Sequence, residues 1–345
     1  MIVPTQTVPQ LNRLAHAILA AAGAPDDIAS CVASSLVEAN LKGVDSHGVM
    51  RLEWYLEQIR EGVILPAARP SVERDQAGCA LMRGNGAFGI YGMQIAADLA
   101  ADKARKSQIA AVALTDVGHT GRLGQFAEQI ADQGMFGMIL GGGNHERWAC
   151  VAPYGGARPL LPTNPYAFAL PAGRHENVLV DFATSAVATG RLRLYRAESK
   201  PVPEGWILDK DGRPTTVAED FFQGGMQLPA GGAKGYGLAV LAELIAESLL
   251  GKPREFNWLI IALNLETFRP LGEFLRSGDA FLDELKAVAP APGFAEVLIP
   301  GEPERRSAKA RGQSGIPVGP EVWRSIEAAA RSVGLDPDDL LAGIG

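Results

Sequence analysis

An α/β fold with an all-helical N-terminal part is what this 345-residue sequence predicts, on three observations. Residues 8–61 hold three helix-like segments and no strand-like run. From residue 78 short apolar runs alternate with helical segments, the rhythm of an α/β unit. Finally, 40 glycines and 23 prolines are spread along the chain, which calls for many tight turns between elements. The expected division is a helical domain over 1–70, joined by C-terminal helices in 302–345, and an α/β domain over 71–301.

The elements follow in order. Residues 8–22 and 25–42 read as amphipathic helices, the second opening on Pro25 with two acids in its first turn. His16, among alanines and leucines, reads as structural. A third helix is expected over 46–61, stopped by Gly62, and Pro66, Pro70 and Val72–Asp75 mark a boundary. Next come a run at Cys79–Met82, a helix over Ile90–Lys106, a run at Ile109–Leu114, a helix over Leu123–Gln133 and a run at Phe136–Leu140. Strands are expected at Tyr166–Leu170, Val178–Phe182, Gly205–Leu208, Trp258–Leu263 and Ala295–Ile299. Helices are expected over Lys234–Leu250, 302–311 and 320–332.

Composition excludes several functions. A net charge of −7 speaks against general nucleic-acid or anionic-membrane binding, so a small anionic substrate must be caught by local cations. No apolar run approaches 18 residues, and the first ten residues lack the pattern of a secretory signal. Cys31, Cys79 and Cys150 are odd in number and contain no CxxC pair, which favours reduced thiols and a cytoplasmic location. Cys31 and Cys79 read as core residues. No His/Cys/carboxylate group has metal-ligand spacing, so no metal is expected.

The stretch around which the chemistry gathers is Asp45-Ser46-His47-Gly48-Val49-Met50-Arg51-Leu52-Glu53-Trp54-Tyr55. His47, Arg51 and Tyr55 are spaced i, i+4, i+8, so on one helix they share a face carrying an acid/base, a fixed cation and a phenol. Asp45 and Ser46 are suited to cap that helix, placing His47 in its first turn, where the helix dipole lowers its pKa. Such a histidine exchanges protons near neutral pH.

Further along, Gly118-His119-Thr120-Gly121-Arg122-Leu123-Gly124 joins a strand to a helix, so its amides and Arg122 could meet an anion, with His119 at the strand's C-terminal end. Gly141-Gly142-Gly143-Asn144 follows the next strand and lets backbone approach a ligand at Gly143. His145 and His175 read as solvated loop residues. Thr163 and Asn164 lie in a rigid turn whose amide could bond a ligand or its own backbone. Asp181-Phe182-Ala183-Thr184-Ser185 ends a strand with an acid suited to a ribose or a histidine partner. Lys234 emerges from glycines at a helix start, the place of a phosphate- or carboxylate-binding cation. Gly84-Asn85-Gly86-Ala87-Phe88-Gly89 spells GxGxxG, but no acid ends a second strand about 20 residues later, Asp116 coming too late, so it reads as a packing turn and not a pyrophosphate loop.

Taken together, Asp45–Gly48 with Arg51 and Tyr55, Gly118–Gly121, Thr163–Pro165, Asp181–Ser185, Lys234–Gly237 and Pro300-Gly301-Glu302-Pro303-Glu304 resemble one family over nearly the whole chain. This is the malate/L-lactate dehydrogenase family, which also includes ureidoglycolate, sulfolactate and diketogulonate oxidoreductases and cyclic imino-acid reductases. The resemblance implies a non-Rossmann NAD(P)-binding fold of the sulfolactate dehydrogenase type, with a mixed sheet, and a homodimer with its active sites near the subunit interface. It implies His47 with Ser46 as the proton-donor pair, with His119 and Asp181 also catalytic. Arg51, Tyr55, Thr163 and Asn164 would face the substrate. His119, Thr120, Gly121, Arg122, Leu123, Gly143, Asp181, Phe182, Ala183, Lys234, Pro300, Gly301 and Glu302 would contact the nicotinamide nucleotide. The sequence departs from the family's pattern at Pro162, Asn144–Trp148 and Gly251–Asn257, all bearing on pocket shape. The expected activity is hydride transfer between NAD(H) or NADP(H) and a small 2-oxo/2-hydroxy acid, with cyclic-imine reduction as the alternative and a non-catalytic nucleotide-binding protein as the outside one.

Overall fold

The computed structural model describes residues 5–341, so the outermost residues of the expected 1–70 and 302–345 segments lie outside it. Strand β1 (Thr5–Gln6) leads into helices α1 (Val8–Ala21) and α2 (Asp26–Leu41). Thr7 caps α1 in a reciprocal capping box with Gln10. Helix α3 covers only Leu52–Arg60, because the segment expected as one helix over 46–61 is broken. Asp45–His47 and Val49–Arg51 are separate 3₁₀ turns, with extended Gly48 between them. The cause is the buried Asn40, whose Oδ1 accepts from the Val49 amide at 2.8 Å and lies where a Cβ on Gly48 would fall.

Residues read as a boundary form an edge strand, β2 (Ser71–Asp75), paired with β3 (Cys79–Ala87). Then come α4 (Gly89–Ser107), β4 (Ile109–Val117), α5 (Gly124–Ala131), β5 (Met135–Gly143), the short α6 (His145–Trp148), β6 (Tyr166–Leu170) and β7 (Val178–Phe182). Helix α7 (Thr189–Ala197) precedes a small sheet of β8 (Ile207–Leu208), β9 (Pro214–Thr215) and β10 (Met226–Gln227), with α8 (Ala218–Phe222) inserted before β10. Helix α9 (Ala233–Glu243) runs into a π-helical segment, Leu244–Leu249, and then β11 (Phe256–Asn264). The chain finishes with α10 (Leu271–Ala287), α11 (Glu302–Ser314), β12 (Ile316–Pro317), α12 (Pro320–Ser332) and α13 (Pro337–Leu341). Ala295–Ile299 forms no strand; Glu296 there pairs instead with Lys286 and Arg306.

The main sheet has the order β2-β3-β4-β11-β5-β6-β7. Only β3 and β4 pair in parallel, and β11 runs antiparallel between β4 and β5, so the sheet is mixed and not a doubly wound Rossmann sheet. Helix α4 lies close on this sheet because its inner face is Ala96, Ala97, Ala100, Ala101 and Ala104, all fully buried. The same core continues through Ile18, Leu19, Ile28 and Leu36 of the N-terminal helices and Ile326 of α12. Each such aliphatic side chain contributes about 1.5–3 kcal/mol on burial. Cys31 packs against this core, but Cys79 is exposed at the start of β3, contrary to expectation. Helix α11 joins the two ends of the chain: Arg311 forks onto Asp45 at 2.6 and 3.0 Å, and β1 pairs with β12. Among the described residues no helix is long and apolar enough to cross a membrane.

Candidate active site

Three segments bring the predicted chemical groups together. The broken 45–51 turns carry Ser46, His47 and Arg51, α3 carries Tyr55, and the loop after β4 carries His119. The His47 and His119 rings stack with centroids 5.6 Å apart, and Tyr55 Oη lies 2.9 Å from His119 Nδ1. The Gly121 amide also points at that Nδ1, at 3.3 Å. An amide can only donate, so Nδ1 accepts and the His119 proton sits on Nε2. Ser46 Oγ is 2.9 Å from His47 Nδ1.

Arg51 is held by its Nε, which donates to the Ser46 carbonyl at 2.7 Å, and by the Trp54 ring, 5.3 Å from the guanidinium carbon. It forms no ion pair with any described residue. A half-buried guanidinium with its fork unpaired is poised for an external carboxylate.

Both histidines are held neutral. Burial, then the charges of Arg51 and Arg122, push His47 down to about 4; the helix dipole expected from the sequence is absent because no regular helix starts there. Burial, then Arg51 and His47, push His119 well below its ordinary range. Burial pushes the Tyr55 phenol up, Arg51 opposing. An unfolded imidazole titrates near 6.5, so between about 6.5 and 4 the unfolded chain binds a proton that folded His47 refuses. Stability is therefore complete above about 6.5 and falls as pH drops toward 4, by up to about 3 kcal/mol for His47 before solvent screening at its open edge is discounted. Urea unfolding of wild type should show this loss between pH 7 and pH 4.5, and His47→Asn should show less of it. The same loss in both proteins would refute the assignment.

Sequence reasoning missed the aromatic wall. Trp54 lies edge-on to His119 at 5.2 Å, Phe256 is 6.2 Å from His119, and Trp148 stacks on Phe256 at 5.6 Å and meets Trp54 at 6.0 Å. Trp148 sits in the 144–148 stretch already noted as a departure, but periodicity gives no sign that Phe256 arrives beside it. Gly143, expected as a loop residue, ends β5, and its missing side chain leaves space for Trp148 and Phe256. The 84–89 glycines serve packing: a Cβ on Gly84 would strike Val117, and one on Gly89 would strike the Gly118 carbonyl, so both set the position of the His119 loop.

The remaining motifs meet at another part of the site. Asp181 accepts from the Gly124 amide at 2.7 Å, so the anion at the start of α5 is the protein's own. Arg122 is buried, with Nη2 on Glu128 at 2.7 Å and on Glu38 at 3.2 Å, and is thus less free than the sequence implied. Its Nε and Nη1 nonetheless have no partner, and Nη1 and Asp181 Oδ2 converge over Gly124, where a Cβ would lie 2.6 and 2.9 Å from them. Thr120 and Leu123 are buried in the same loop, next to Gly121 at φ +67°. The Leu179 amide donates to the Pro300 carbonyl, bringing Pro300, Gly301 and Glu302 beside the strand that carries Asp181, Phe182 and Ala183. Glu302 is engaged by the Ile299 amide, Lys286 and Arg306. The Ala230 amide bonds the Thr184 carbonyl, which sets the 230–234 loop next to this group; Lys234 there is exposed and forms no ion pair with a described residue.

Thr163 accepts from both the amide and hydroxyl of Thr184 through its carbonyl. Asn164 is completely buried, at φ +38°, and its amide donates to Glu243 at 2.6 Å. His145 and His175, read as solvated, are paired instead with Glu247 at 2.6 Å and Asp283 at 2.9 Å. His16 bonds Asp26 at 2.9 Å.

Comparison with known proteins places the chain in one family. The family profile described as malate/L-lactate dehydrogenase matches residues 7–327. A malate dehydrogenase of Pyrococcus abyssi is 34% identical over 337 residues, 92% of each chain. A Delta(1)-pyrroline-2-carboxylate reductase of Pseudomonas fluorescens is 36% identical over 247 residues, 72% of each chain. The solved sulfolactate dehydrogenase of Methanocaldococcus jannaschii superposes with a TM-score of 0.88 at 31% identity, covering 98% of this chain and 99% of that one. The chain belongs to the malate/L-lactate dehydrogenase family and is an oxidoreductase acting on CH–OH or C=N groups, in a family of dehydrogenases that use nicotinamide cofactors.

Proposed function

We propose that this oxidoreductase transfers a hydride between NAD(H) or NADP(H) and the 2-carbon of a small 2-oxo/2-hydroxy carboxylic acid. The observation that carries the reading is the unpaired Arg51 fork set beside two neutral histidines. The bound nicotinamide supplies the hydride chemistry, and the protein orients the acid and manages one proton. Arg51 holds the carboxylate, with Tyr55 shaping the pocket. In the oxidative direction neutral His47 takes the hydroxyl proton; in reduction it returns it to oxygen, with Ser46 on Nδ1 fixing its ring. Burial is the main cause of His47's lowered pKa, and a carboxylate on Arg51 offsets the smaller part that comes from the Arg51 charge, so substrate binding moves the base upward in that part alone. His119, donating from Nε2, would orient the same oxygen.

For the nucleotide, the orphaned Arg122 donors over Gly124, the carboxylate of Asp181 and the unpaired Lys234 fit a phosphate-linked ribose. Lys234→Ala should weaken reduced-cofactor binding about tenfold, while Gly86→Ala, forcing a side chain onto φ +75°, should cost roughly 1–2 kcal/mol of stability and spare binding. A stable Gly86→Ala protein that no longer binds cofactor would move the nucleotide to the 84–89 turn and overturn this assignment.

One observation favours the cyclic-imine alternative: the aromatic corner made by Trp54, set edge-on, and the stacked Trp148 and Phe256 beside His119 suits a ring. Assaying 2-oxoacids and cyclic imines with NADH and NADPH, followed at the reduced-nicotinamide absorbance band, decides between substrates and cofactors. We also read the chain as a cytoplasmic homodimer, with 1–70 and 302–345 forming the helical domain. Leu238, Leu241, Leu244 and Leu249 are 37, 50, 54 and 68% exposed along one helix, which supports a partner there, and sedimentation as single chains would refute it.

A further inference from the structure

We propose that His145, Glu243 and Glu247, closed by Asn164, form a binding site for a divalent first-row metal ion such as Zn2+ or Mn2+. One ligand atom from each of the three titratable residues lies within 4.8 Å of the others, and His145 Nδ1 is 2.6 Å from Glu247 Oε2. A metal with bonds of about 2.0–2.2 Å would draw these atoms together with shifts on the order of an ångström. Linear spacing conceals the group because α6, just after β5, carries His145 while α9 and the π-helical segment carry the two acids.

A second observation points to a ligand. Asn164 is completely buried, its amide lies against Glu243, and its Oδ1 has no partner; Glu243 Oε1 has none either. A half-turn of the amide exchanges nitrogen for oxygen and presents a neutral oxygen ligand at the same place. Room for the group comes from Gly142, where a Cβ would lie 2.6 Å from Asn164 Nδ2 and 2.7 Å from Glu243 Oε2. Carboxylates one helical turn apart repel, and burial makes ionised Glu243 costlier still, the Asn164 hydrogen bond opposing and Glu247 adding to the cost. A cation among them removes both penalties. The helix changes from α to π between the two acids, a distortion that recurs at functional sites. One imidazole with carboxylate and amide oxygens suits Zn2+ or Mn2+ better than Mg2+ or Ca2+, which favour all-oxygen shells. The ion would pin α6, and with it Trp148, to the sheet behind the aromatic wall.

The test is calorimetric titration of the full, chelator-treated protein with ZnCl2 and MnCl2, alongside Glu247→Gln and His145→Gln. The expected result is one ion per chain at micromolar affinity or tighter, weakened at least tenfold by each substitution, with circular-dichroism melting confirming that the variants fold. Co2+ substitution gives a second readout, a visible absorption band that His145→Gln shifts or removes. No saturable binding by the wild type, or binding that the folded variants retain, overturns the proposal; retained zinc would then belong to a thiol such as exposed Cys79.

Discussion

His47→Ala should lower kcat by roughly 10²–10⁴-fold while leaving the affinity for reduced cofactor unchanged. The size follows from losing a positioned proton carrier, and the selectivity from its position: His47 stacks on His119 and bonds Ser46, whereas the motifs proposed for the nucleotide meet around Gly124, Asp181 and Pro300. His119→Ala should act more on orientation, since His119 is fixed by the Gly121 amide and the Tyr55 hydroxyl and offers only Nε2–H. Separate measurement of kcat and cofactor Kd for the two variants decides between them. Chemistry lost only at His119 would move the proton-transfer role to that ring.

Arg51→Lys should reduce kcat/KM by about 1–3 kcal/mol, or roughly 5- to 150-fold, with NAD(P)H binding preserved. In a chain of net charge −7, the overall field does not help to hold an anion. Affinity must come from this one guanidinium, whose Nε is already committed to the Ser46 carbonyl and whose plane rests on Trp54. Lysine keeps the charge but cannot bond Ser46 and a carboxylate in one planar fork. Comparing a 2-oxoacid with its uncharged amide on both proteins reads the effect directly: wild type should strongly prefer the acid, and the variant much less so. Equal discrimination would remove Arg51 from the substrate site.

Much of this arrangement was legible where local rules govern. The strands Tyr166–Leu170 and Val178–Phe182 and the helix over 320–332 appear with the expected bounds, because turn residues and apolar spacing define them locally. The grouping of His47, Arg51, Tyr55 and His119 was also legible, although the single helix inferred for the first three was not real. Gly48 breaks it because Asn40, from the preceding helix, occupies the space and supplies the hydrogen bond. Long-range placement was invisible: β11 inserts between β4 and β5, carrying Phe256 to the site. Helix α10 is missing from the sequence reading although Leu271, Phe274, Leu275, Phe281, Leu282 and Leu285 recur at helical spacing, so it was legible; of this apolar face only Leu282 is buried.

The Arg311–Asp45 fork has a consequence for the order in which the protein can be made. Asp45 opens the turn that carries His47, and its partner lies 266 residues later. At about 5–20 residues per second, synthesis separates the two by roughly 13–50 s. For nearly all of that interval the nascent chain has made α1, α2 and α3 but lacks α12 to cover α3, β12 to pair with β1 and the guanidinium that locks Asp45. The turn that carries His47 is among the first parts of this protein to be made and among the last to be completed.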